Sequence, residues 1–180
     1  MKKQAFVFIS VISLLTVSCG GSGEGKLLEK SSAEFVKENV QYSTKLNGKR
    51  IAIEGYVTFS TADLEKGKAS IELSDKPVQG GDQLIRFEIK EGKGKNSIDF
   101  GETSNTKYQG MGTVSDVQFD NVRIYDNDGK AYPLTQKVRL SGDLSYIKGM
   151  DGNFTSMEAF DKGKTLYNPE FKNVRVDVVQ

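Results

Sequence analysis

Two stretches of the chain alternate apolar and polar residues with a period of two. In the first, Ile51, Ile53, Val57 and Phe59 alternate with Arg50, Ala52, Glu54, Tyr56 and Thr58. This pattern predicts a half-buried strand over 50–59. Gly55 falls on the apolar side, where a missing side chain permits the sharp bend a small barrel needs to close. In the second, Val138, Leu140, Gly142 and Leu144 predict a strand over 137–146. Between them, Ala69, Ile71 and Leu73 predict a strand over 68–74. Ile85, Phe87 and Ile89 predict another over 84–90, with Arg86, Glu88 and Lys90 outside. Ser60 to Lys68 reads as a polar loop, and Asp75 to Asp82, with Pro77 and Gly80-Gly81, as a second loop. Met157 and Ala159 share a face in a fifth strand over 153–160, and Val174, Val176 and Val178 form a short closing strand over 174–179.

The period changes once. Ala33, Val36 and Val40 recur at helical spacing, widened by Phe35, Tyr42 and Leu46. Ser31 and Glu34 are spaced as a capping box, and Asn47-Gly48 supplies the stop. Residues 93–135 break the strand pattern. Glu91 to Met111 is rich in glycine, asparagine and lysine and reads as irregular. Val114 to Ile124 carries strand residues, and Asp126-Asn127-Asp128-Gly129 is a hairpin turn. The region therefore reads as an inserted hairpin. The expected fold class is mainly β: a five-stranded barrel, one N-terminal helix, an inserted β-hairpin and a short C-terminal strand.

Composition removes most chemistry from consideration. The chain has no histidine, so the commonest general base near neutral pH and the commonest metal ligand are both missing. Its one cysteine rules out an intrachain disulfide or a thiolate zinc site. The serines, lysines and carboxylates show no catalytic spacing, so we expect no enzyme, no metal and no cofactor. Asp126, Asn127 and Asp128, or Asp151 and Asn153, adjoin glycines as turns do, whereas a calcium loop needs more oxygens at longer spacing. Lysine plus arginine totals 25 against 24 acidic residues, a balance without the basic excess that binds nucleic acid.

The N-terminus changes the picture more. Lys2-Lys3 precedes the uncharged run Ala5 to Val17. At 13 residues it is short for a membrane span and has the length of a signal-peptide core. It ends in Leu15-Thr16-Val17-Ser18-Cys19, which resembles a bacterial lipobox. Ser18 fits the small residue before the cut, and Thr16 departs from the usual large aliphatic residue. The resemblance implies a signal peptide over 1–18 and a diacylglyceryl group on Cys19. Each buried methylene of that group would contribute about 0.8 kcal/mol of membrane attachment. Residues 19–30, beginning with Gly20-Gly21-Ser22-Gly23, read as a flexible tether to a domain over 31–180. The expected location is the bacterial cell envelope, on a periplasmic or cell-surface face.

The order helix, three strands, insertion, two strands resembles an OB fold, and more narrowly the bacterial tRNA-anticodon-binding-like family of OB-fold proteins, many of them short lipoproteins. Asn47-Gly48-Lys49, Ile51 to Val57, and Val138 to Gly142 carry the resemblance, which covers roughly 31–92 and 136–167. The insertion and the strand at 174–179 depart from it. OB folds that bind single strands stack bases on aromatic residues of their second and third strands. Here the outward positions are Ser70, Glu72, Leu84, Arg86, Glu88 and Lys90, none aromatic, so nucleic acid is not an expected partner. The expected function is a non-catalytic binding or assembly module for a protein partner, anchored to a membrane. The alternative is a binder of small molecules or oligosaccharides using loops 60–68 and 148–153 at the barrel mouth, with Tyr56, Arg86 and Tyr146 as candidate ligand-binding residues.

Overall fold

The computed structural model describes residues 23–77, 81–101, 104–108, 111–115, 119–147 and 165–180. Cys19, the loop at 148–153 and the strand expected at 153–160 lie outside them.

Five strands close into a barrel. These are β2 (Arg50–Glu65), β3 (Lys68–Ser74), β4 (Gln83–Glu91), β10 (Val138–Ile147) and β11 (Asn168–Val178). β2 pairs with β3, β3 with β4, β10 with β11 and β10 with β2, all antiparallel; β4 pairs with β11 in parallel. The sequence-order circuit is first, second, third, fifth, fourth and back to first, an OB-like order. The closing strand expected at 174–179 begins earlier, at Asn168, and it takes the fifth place in the barrel, which the alternation had given to 153–160. Pro169 disguises its start, yet proline is tolerated at the first residues of a strand. Phe171 pairs with Phe87 on one side and Leu144 on the other, so one aromatic ring joins both halves of the barrel.

Alternation sorted most side chains correctly. Ile51, Ile53, Val57, Phe59, Ala69, Ile71, Leu73, Ile85, Phe87, Ile89, Val138, Leu140 and Leu144 are all buried. Ala52 and Leu84 are exceptions: expected outside, both are buried too, Ala52 beneath β1, which pairs Leu27 with it, and Leu84 at a break in register. Leu73 pairs with Ile85 and Ser74 with Gln83, so Leu84 has no partner and the pleat skips a beat there. Such a bulge turns adjacent residues to one side.

The expected loop over 60–68 does not form. β2 runs through to Glu65, and a two-residue turn at Lys66 and Gly67 returns the chain, with φ of 51° and 75°. Positive φ at both centres matches the twist of the flanking strands.

Both barrel ends are covered. At one end lie α1 (Ala33–Val36) and a π-helical turn (Lys37–Gln41), which bury Val36 and Val40. This helical segment is shorter than expected and starts differently. Ser32 caps it, its hydroxyl accepting from Phe35 N–H, while the Ser31 hydroxyl accepts from Glu54 N–H at 3.0 Å. It ends at Gln41, where the Tyr146 hydroxyl bridges the carbonyls of Val40 and Ser43, described below.

The described part of the segment over 93–135 covers the other end. It contains β5 (Ser97–Asp99), β6 (Ser104–Tyr108), β7 (Met111–Ser115), a 3₁₀ turn (Phe119–Asn121), β8 (Arg123–Tyr125) and β9 (Ala131–Pro133). β5 extends β4, then β8 and β9 follow, while β6 and β7 form a hairpin against the far part of β2. The region expected to be irregular up to Met111 therefore contains short strands. Phe59 reaches from the barrel between Phe100 and Phe119, with ring centroids 5.2 and 5.3 Å away. Ile98, Val122, Ile124 and Leu134 continue the same core.

Residues 23–28, expected within the tether, lie on the barrel. β1 (Lys26–Leu27) pairs in parallel with Ile51 and Ala52 of β2. A Cβ at Gly25 would run into the Ile51 carbonyl, so glycine lets this segment approach. Arg50 Nε donates to Gly23 O at 2.7 Å, and Arg175 pairs with Glu24 at 3.3 Å.

Candidate functional site

The three candidate ligand-binding residues do not converge. Tyr56 and Arg86 occupy outward positions of β2 and β4, whereas Tyr146 shares the inward parity of Leu144. Arg86 is exposed and sits 3.8 Å from Glu72. Tyr146 works for the fold. Its hydroxyl hydrogen is shared between Val40 O at 3.0 Å and Ser43 O at 2.7 Å, and its ring meets Tyr167 edge-on at 5.7 Å. Burial, with Tyr167 adding to it, pushes the phenol up to about 12.

Other displaced groups are likewise tied into the scaffold. Arg139 donates two hydrogen bonds to Glu54, at 2.9 and 3.2 Å, and Lys137 lies 3.4 Å away. The hydrogen bond from Arg139 leads in lowering the Glu54 pKa; burial opposes it and Lys137 adds to it. Arg175 is raised first by its hydrogen bond to Asp177. Asp126, one candidate calcium oxygen, instead builds its turn: Oδ1 accepts from Asp128 N–H at 2.9 Å and Lys130 N–H at 2.8 Å.

A cationic slot lies elsewhere, between β4 and β11. Their parallel pairing covers only Arg86–Phe87 and Glu170–Phe171. Beyond it, β11 bulges. Ser141 pairs with Arg175 and Asp143 with Lys172, so Asn173 and Val174 stand against Gly142 alone. Asn173 takes φ of 52°, its carbonyl accepts from Arg50 and its amide donates to Asp143 at 2.8 Å. The bulge carries β11 away from β4 and leaves a slot of about 410 Å³. Lys68, Lys90, Lys95 and Lys172 line it, with Glu88 the one carboxylate among its lining residues. Lys68 lies 3.3 Å from Glu88, and Lys172 lies 3.1 Å from Glu170 just outside. The remaining excess of positive charge favours a small anion.

In the sequence, only the glycine-spaced lysines 90–95 hinted at this slot. Lys68 and Lys172 join them through strand register and a bulge, which composition does not reveal. Compared with known protein families, curated proteins and solved structures, the chain matches none.

Proposed function

We propose that this protein is a cell-envelope lipoprotein, held to a membrane through acylated Cys19, whose OB-like barrel serves as a non-catalytic binding or assembly module for a protein partner. The segment over 93–135 is read as an insertion into the OB-like pattern and β11 as its closing strand. One observation carries the non-catalytic reading: among the described residues, the ionisable groups with shifted pKa, Glu54, Tyr146 and Arg175, are each hydrogen-bonded to a structural neighbour. Catalytic groups with shifted pKa values instead face a cleft. The hairpin supports assembly. β6 pairs with β7 and with no other described strand, leaving an edge on which a partner's strand can add.

Metabolic labelling with a lipid precursor tests the anchor: the wild-type chain takes up label and Cys19→Ala does not. Crosslinking in intact cells followed by capture tests assembly. A discrete crosslinked partner is expected, and recovery of the mature chain alone under varied growth conditions overturns this reading.

The slot between β4 and β11 favours a second reading, a binder of small anions. Titration with inorganic pyrophosphate at low salt would give saturable binding, weakened at least about tenfold by Lys90→Gln combined with Lys172→Gln. Equal weak binding by both proteins would remove it.

A further inference from the structure

Leu27 is 41% exposed and is the one large apolar side chain exposed among the residues whose side chains are described. It borders a groove of about 480 Å³ with Leu28, Phe35 and Leu46 in its wall. Lys26 and Lys49 stand at the same groove, with Glu29 the one acidic residue lining it; Arg50, also there, is held by Asp143 at 2.9 Å.

The position of this groove along the chain identifies its occupant. Gly23 is fixed to the barrel by Arg50, and Leu28 N–H donates to Ala52 O at 3.0 Å. The span from Cys19 to Gly23 is four residues, which reach at most about 14 Å. The headgroup layer is itself roughly 5–8 Å thick on each side. An acylated Cys19 therefore cannot let the barrel stand far off or turn freely. It holds the β1 edge against the lipid. From these constraints we infer that the Leu27 groove docks on the bilayer surface, Leu27 entering the interface and Lys26 and Lys49 meeting anionic headgroups. Interfacial segments combine an apolar anchor with flanking lysines in this way.

This inference rests on the acylation of Cys19, and one experiment separates the two claims. The lipidated chain is reconstituted in vesicles of phosphatidylethanolamine and phosphatidylglycerol. With the Cys19 sulfur acylated, a single introduced cysteine takes an environment-sensitive dye uniquely. Dyes are placed at Leu27→Cys, at Asn39→Cys in the same groove, and at Glu65→Cys at the far end of β2. Flotation with the vesicles reads the anchor. Docking predicts blue-shifted emission, quenched by lipids brominated near the headgroup, at positions 27 and 39 and not at 65. A chain that floats but shows water-like emission at both 27 and 39 overturns the docking while leaving the anchor intact. A chain that does not float overturns both. Emission shifted at 39 alone still supports docking, since Leu27→Cys removes part of the apolar contact.

Discussion

A Cβ at Gly142 would lie 2.5 Å from Cγ and 2.6 Å from Cβ of Phe171, the ring that joins Phe87 to Leu144. Gly142→Ala must displace that ring or the strand, and should cost about 1–3 kcal/mol in urea unfolding. Gly55 shows the same logic, since a Cβ there would lie 2.5 Å from Ser74 O. Two titrations also belong to single residues. Tyr146 has its folded pKa raised to about 12 from an ordinary 10.0. Its contribution is fully present below pH 10 and is lost as pH rises through about 12. Tyr146→Phe should lower stability at neutral pH and flatten that alkaline loss, measured by urea midpoints against pH. Glu54 runs the other way. Its folded pKa lies below the ordinary 4.5, so its contribution is present above 4.5 and is lost as pH falls through the lowered value. Glu54→Gln should shrink the acid-side loss of stability.

Among elements, the strands 68–74 and 84–90 were legible within a residue or so, because each keeps one face in the core and alternation records that directly. Legibility failed where a local event overrode the period. The doublet Leu84-Ile85 breaks the alternation and marks a bulge. Lys66-Gly67 is a turn hidden in a polar run. Pro169 obscures the first residues of β11. The helix was overextended because Tyr42 and Leu46 continue its spacing, while the side chain that bonds the carbonyls at its end, Tyr146, lies about a hundred residues away in the chain. The candidate ligand residues carry a related ambiguity. A tyrosine on a strand reads the same whether it faces a ligand or a helix turn. β1 is held by few contacts. Removing the guanidinium with Arg50→Gln deletes its bond to Gly23, so hydrogen exchange at Leu28 should accelerate while the amides of β3 stay protected.

For the whole molecule, the covered barrel ends shift attention from the mouth to the wall. Tyr146 and the helical segment occupy one end, and Phe59, Phe100 and Phe119 the other. Among the described residues, openings lie at the slot between β4 and β11, at the groove beside β1 and alongside the helical segment. The circuit of strands also sets an order of events. β2, β3 and β4 are contiguous in sequence, but the wall stays open until β11 inserts between β4 and β10. A chain ending at residue 167 should therefore lack the cooperative unfolding of the full chain, whereas one ending at 178 should keep it, as read by thermal melts. The timing matters for a protein that leaves the cytosol as proposed. A polypeptide threading a narrow channel must remain unfolded, and one able to fold early would jam it. Closing the wall only with β11 keeps the earlier strands from completing the barrel until residues 168–178 are available to pair with both β4 and β10.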